Sequence, residues 1–210
     1  MNRSGRPRKE DSNNNSRNEI INAAARLIAR EGTQTLTVRA VCNEAGLSIG
    51  TFYYFFKDKN ELMMSFITDL SFEGAELSCP MSDIGGKISE LYMMLIRQYM
   101  SFGREFVRSF YNPRNKILSA YMGECSGRFS PGTVMARNET EIDNAIDEGI
   151  ISLHDGVTAH EVASDICTIV KGCVFEWCLS DEAVDLEALT ERIIRNYMCR
   201  YNNDNRKLSR

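Results

Sequence analysis

Between Thr37 and Lys59 the chain concentrates side chains suited to gripping a polyanion without breaking any bond in it. Thr37, Ser48 and Thr51 offer hydroxyls, Tyr53 and Tyr54 a phenol on a flat apolar ring, and Lys57 and Lys59 positive charge. Cations and hydroxyls meet phosphate oxygens, while hydroxyls and apolar surfaces meet base edges and thymine methyls. Ile49 and Gly50 fall in the same run. A glycine inside a helix costs about 1 kcal/mol relative to alanine, but its missing side chain lets the backbone come close to a groove wall. Covalent chemistry has no comparable constellation. His154 and His160 lie near Asp155 and Glu161 without a nucleophile or a metal-ligand spacing, so neither an enzyme nor a resident metal or cofactor is expected.

Recognition groups need a rigid mount, and the stretch Thr35 to Leu62 (TLTVRAVCNEAGLSIGTFYYFFKDKNEL) supplies one. Thr37 is a good N-cap for a short helix carrying Val38, Val41 and Cys42 and ending near Ala45 and Gly46. Ser48 caps a second short helix through Thr51 to Tyr54. A turn of three or four residues forces the two to cross steeply, as in a helix-turn-helix. Such a crossing needs a small residue, a flexible turn residue and an apolar plug, which Cys42, Gly46 and Phe52 provide. Lys57 and Lys59 open the following helix, where they oppose its dipole. A phosphate bound at that end, beside free backbone amides, gives their placement a reason.

Upstream, Ile20, Ile21, Ala24, Leu27 and Ile28 form one apolar stripe at helical spacing, closed by Gly32, so a scaffold helix is expected from Arg17. With that helix included, the region resembles the DNA-binding domain of the tetracycline-repressor (TetR) family of bacterial regulators over about residues 20–66. AAARLIAREG matches the family's first helix, TLTVRAVCNEAG its second, LSIGTFYYFF its recognition helix and KDKNEL the start of its fourth. The resemblance implies that Thr37 and Tyr54 contact phosphates, that Ser48, Gly50, Thr51 and Tyr53 face the major groove, and that Lys59 holds the DNA backbone. Cys42 stands where alanine is usual in the family. Phe55 stands where histidine or tyrosine is frequent, which removes a phosphate contact at that position.

Charge follows the same division. Residues 1–60 hold ten Lys or Arg against six acids, whereas residues 61–210 hold 15 against 23, a basic head on an acidic body. Residues 1–16 read as a disordered basic tail, 17–60 as the helix-turn-helix domain, 61–74 as a connecting helix and 75–210 as the body. Seven cysteines at irregular spacing fit a reducing compartment and free thiols. No run is long and apolar enough for a membrane span, and the first twenty positions lack the apolar stretch of a secretory signal, so a cytoplasmic protein is expected.

The body reads as helix throughout, making the fold class all-α. Helices are expected over 61–72 and 84–102, and from Ser130-Pro131 to a stop at Gly149. Thr158 and Glu161 form a capping box for one reaching Leu179, and Asp185 caps the last, to about Tyr201. The last two carry Ile166, Ile169, Gly172 and Cys173, then Leu189, Ile193 and Tyr197, on faces too wide for one contact; together they resemble the family's four-helix dimer interface. Tyr92, Tyr99, Phe106, Phe110, Tyr121, Met122 and Trp177 are candidate walls for an apolar or aromatic small-molecule effector. The function expected is a homodimeric regulator, released as a repressor from a palindromic double-stranded operator by that effector. The alternative is a helix-turn-helix protein acting mainly through a protein partner, without an effector.

Overall fold

The computed structural model describes residues 9–111, 118, 121, 123–125, 127–154, 156–180 and 184–202. It divides into two compact units, Met1–Phe66 and Ile67–Arg210.

In the first unit, the head, α1 (Lys9–Glu31) is followed by a 3-10 turn at Thr33–Thr35, α2 (Val38–Ala45), α3 (Ile49–Phe55) and α4 (Lys59–Thr68). The apolar stripe of α1 does what its spacing predicts: Ile20, Ala23, Ala24 and Leu27 are buried with Leu36, Val41, Phe52 and Phe56. Burial of a side chain the size of Phe52 contributes about 2 to 3 kcal/mol. The helix starts at Lys9 rather than Arg17, so part of the expected disordered tail is helical. Once the buried stripe has nucleated a helix, each further residue adds a hydrogen bond at little entropic cost, and even a run of asparagines can follow. The connecting helix α4 ends at Thr68, short of the expected 74.

The second unit, the body, holds α5 (Ile84–Phe102), α6 (Arg104–Phe110), α7 (Val134–Asp147), α8 (Ala159–Leu179) and α9 (Leu186–Met198). Helix α5 packs against α6, α7 and α9, and α8 against the same three. The all-α expectation holds except for two-residue strands, β1 (Glu124–Cys125) and β2 (Arg128–Phe129), paired antiparallel. Asp83 caps α5 by accepting from the Gly86 amide at 3.0 Å and grips Arg195 of α9 through both carboxylate oxygens, at 2.8 and 2.9 Å. A side chain on Gly86 would run into the Asp83 carboxylate and the Arg195 guanidinium, so the bare backbone there leaves room for the ion pair that joins α5 to α9. At the other end of α8, Arg108 donates to the Cys178 carbonyl at 2.7 Å and Arg104 to that of Ser180, placing cations where the helix dipole is negative.

Caps in the body follow the sequence with one exception. The Thr158–Glu161 capping box and the Asp185 cap both form. Helix α7, however, begins at Val134 and not at Ser130-Pro131. The proline lies in a turn completed by Gly132 at φ 77, and Thr133 is the N-cap, accepting from the Ala136 amide.

Candidate nucleic-acid interface

The α2–turn–α3 crossing is built from local hydrogen bonds. Thr37 Oγ1 accepts from the Ala40 amide at 3.1 Å and starts α2. Gly46, at φ 67, ends it: its amide donates to the Asn43 carbonyl and that of Leu47 to the Cys42 carbonyl, satisfying two otherwise orphaned acceptors. Ser48 then starts α3, its Oγ accepting from the Thr51 amide at 3.0 Å and sharing a 2.8 Å hydrogen bond with Thr51 Oγ1. Cys42 and Phe52 are buried, at 2% and 0% exposure, and the Cys42 thiol lies 3.7 Å from the Ser48 carbonyl. Burial pushes that thiol's pKa up, which keeps it protonated and inert.

Opposite this buried seam the head presents Ser48, Ile49, Gly50, Tyr53 and Tyr54 to solvent, with Thr51 half-buried. Tyr53 and Tyr54 are 56% and 70% exposed, unusual for rings of their size. Gly50 has no internal cause. Its φ is not positive, and a side chain there would meet only Ser48 Oγ, at an ordinary 3.6 Å. Thr37, Lys57 and Lys59 are exposed as well.

Two features correct or extend the sequence reading. The start of α4 is already capped. Asp58 Oδ1 accepts from the amides of Asn60 and Glu61 at 2.8 and 2.9 Å, and Glu61 reaches back to the Lys57 amide at 2.6 Å. Those amides are therefore not open to a phosphate, and only the lysine side chains extend outward. Arg39, in the first turn of α2, is the residue that sequence reasoning missed. It is exposed next to Thr37, and no ion pair holds it among the described residues. By contrast, Arg26 and Arg30 are drawn to Glu44 at 3.0 and 3.2 Å, tying α1 to α2. The bare charge count could not separate these two groups of arginines.

Residues 20–65, most of the head, match the family model of bacterial regulatory proteins, tetR family. The head is similar to that family's DNA-binding segment, and the match does not extend into the body. A curated relative, an uncharacterized HTH-type transcriptional regulator of Haemophilus influenzae, is 42% identical over 48 residues, which are 23% of this chain and 26% of that protein. The chain thus matches about a quarter of that relative's length. Among solved structures, the Thermus thermophilus FadR, a TetR-family repressor in complex with lauroyl-CoA, aligns with a TM-score of 0.53 at 14% identity. That alignment covers 87% of this chain and 93% of the other and shows a shared fold.

Outside the matched head, the candidate body residues scatter. Of the expected dimer surface, Ile166, Cys173 and Tyr197 are buried within one chain, and the Tyr197 hydroxyl donates to Asp165 at 2.6 Å. Ile169, Leu189 and Ile193 are half-buried and Gly172 is exposed. The solvent-facing stripe of α8 is Thr168, Gly172, Phe175 and Leu179, with Phe175 51% and Leu179 59% exposed. Three of the expected positions are thus spent inside the chain, because an apolar stripe visible in sequence is first used by the chain's own core. Of the candidate effector walls, Tyr92 and Tyr99 are fully buried and Tyr121 is 8% exposed. Trp177 is buried beneath the Arg104 guanidinium, 5.1 Å from its ring centre, and Phe106 is half-buried. The Phe110 side chain and Met122 lie outside the described residues. No helix among the described residues is long and apolar enough to cross a membrane.

Proposed function

We propose that two copies of this chain bind a palindromic operator in double-stranded DNA and repress transcription there, and that a small molecule taken up by the body releases them. The observation that carries the DNA reading is the outer face of α3: exposed Tyr53 and Tyr54 beside a glycine that nothing inside the protein requires. A bare backbone between hydroxyls and rings fits a helix lying against a groove. Thr37, Arg39, Lys57 and Lys59 flank that face and supply phosphate contacts, and Ser48, Ile49, Gly50 and Thr51 approach the bases.

Dimerisation follows from the length of α3. Seven residues read too few bases to select a site alone, and pairing two heads raises affinity through effective concentration. The stripe Thr168, Gly172, Phe175 and Leu179, with Ile169, Leu189 and Ile193 at its margin, is the surface on which the copies meet. Release requires the effector to bind one arrangement of the dimer better than the other.

The test is to select DNA fragments with purified protein, then titrate the recovered site by gel shift at two salt concentrations. Specific binding that weakens with salt and a dimer in sedimentation are expected. Absence of any specific site at low salt overturns the reading.

A further inference from the structure

The outer face of α3 is poor in the groups that read bases by hydrogen bonds of fixed direction. From Ile49 to Phe55 the helix runs IGTFYYF, with no charged and no amide side chain. Guanine is selected by Arg or Lys, adenine by Asn or Gln, and cytosine by Asp or Glu. None of these stands on α3. Exposed Arg39, Lys57 and Lys59 lie on the neighbouring segments, where they match a polyanion in charge but carry no sequence information through phosphates.

The polar groups that remain on the face are hydroxyls, and they discriminate little. Ser48 Oγ already accepts from the Thr51 amide at 3.0 Å and shares its 2.8 Å hydrogen bond with Thr51 Oγ1. Whichever of the two donates, the pair has one O–H left to offer, and adenine, guanine and thymine all present an acceptor for it in the major groove. The Tyr53 phenol both donates and accepts, so it accommodates any base pair.

Ile49 differs from all of these. It is 44% exposed, its side chain is wholly aliphatic, and Tyr53, 56% exposed, follows four residues later on the same side of the helix. Gly50 beside it leaves the backbone bare, so the helix can lie close to the base edges. The apolar feature that the major groove displays is the C5 methyl of thymine. An isoleucine held against that methyl removes both from water, which is favourable, whereas uracil and cytosine leave the side chain facing nothing apolar.

We infer that Ile49 is the specificity-determining residue of α3 and selects thymine by packing on its C5 methyl, so that each half-site carries a thymine at the step facing it. The inference rests on the DNA reading above and deepens it by naming the base and the group on that base which is read.

The recovered operator supplies the test. Each thymine is replaced in turn by deoxyuridine, at the same step of both half-sites, which deletes a methyl and keeps every hydrogen-bonding group of the base. Binding of the full chain is then titrated by gel shift at one fixed salt concentration. At the step facing Ile49 the replacement should weaken binding about fifteenfold, roughly fourfold for the methyl lost in each half-site. In Ile49→Ala that step should lose most of its sensitivity, while steps read by other groups keep theirs. Because uracil also alters how readily the duplex deforms, this coupling between the two changes is the deciding measurement. Ile49→Val keeps a branched aliphatic surface and should retain the preference, which separates loss of packing from disturbance of the helix. A specific site that no uracil replacement weakens, or a methyl sensitivity that Ile49→Ala leaves intact at every step, overturns the inference and leaves the regulator reading standing. Recovery of no specific site at low salt overturns that reading and the inference with it.

Discussion

The head and the body handle polar side chains in opposite ways. In the head Thr37, Ser48 and Asp58 sit at the rim and each cap a helix within three residues of themselves, the interior is built on Ile20, Leu36 and Phe52, and the buried Ser65 is matched by the Leu62 carbonyl at 2.7 Å. In the body they go inside, and Tyr121, Asn138, Glu141 and Thr190 each keep a buried atom without a hydrogen-bond partner; no described residue of the head does. Under the proposed function the contrast separates two tasks. A surface that reads DNA must be held rigidly from behind and be fully satisfied before DNA arrives. The atoms that the body's own fold leaves unmatched are free to be met by water or by a ligand.

Substitutions can break that contrast, and the largest effect is expected in the head's seam. Phe52→Ala should destabilise the head by about 3 to 5 kcal/mol, since nothing nearby collapses to fill a cavity of that size. Calorimetry should show the head's unfolding transition lost and that of the body retained. Loss of both together would mean the two units are not separately stable. Gly46→Val should cost roughly 1 to 2 kcal/mol, because a branched side chain is strained at this left-handed φ. That loss should appear in denaturant melts as a lower midpoint with an unchanged slope.

Gly50→Ala sharpens the contrast by separating stability from function within one residue. It should raise head stability by up to about 1 kcal/mol, because no internal contact opposes it, while weakening operator binding in the same gel-shift titration. Improved binding would remove the reason given for the glycine. Lys59→Ala and Arg39→Ala should each lower the slope of log affinity against log salt by about one unit without changing sequence preference, as loss of one phosphate contact does.

The smallest effect belongs to the body and depends on pH. His160 of α8 stacks on Phe129, with ring centres 4.6 Å apart, between Glu139 at 3.2 Å and Glu124 at 3.4 Å. Burial alone would lower its pKa, but the hydrogen bonds and charges of the two carboxylates outweigh that and raise it above the ordinary value. A folded-state pKa above the unfolded one means the stabilisation is complete below about pH 6.5 and is lost as pH rises through the folded value. The melting temperature of the native protein should therefore exceed that of His160→Gln most at pH 5.5, and the gap should close by pH 8.5. A gap independent of pH would show that the ring acts by stacking alone.

How far each unit could be read from sequence follows the same divide. Thr37, Gly46, Ser48 and Phe52 act within a few residues of themselves, so their types and spacing specify caps, turn and plug directly. Arg39 and Asp58 escaped notice because their roles depend on what leaves an arginine free or an amide taken, which composition does not record. In the body, Ile166, Cys173 and Tyr197 lie on an apolar stripe that fits a partner's surface and the chain's own core equally well. Only the packing of α8 against α7 and α9 decides between them. Asn138 carries no local signature at all; it becomes notable only once α7 brings it beneath Tyr92.

The short reach of the head's caps also bears on how the protein comes into being. Bonds that close over three residues form early and fast, and a helical unit of mostly local contacts folds within microseconds to milliseconds. At about 5 to 20 residues per second, residues 67–210 take roughly 7 to 30 seconds to emerge from the ribosome after the head. The outer face of α3 is thus in place on a nascent chain whose body is still being made, so under the proposed function such a chain would carry one DNA-reading head before it could pair with a second copy.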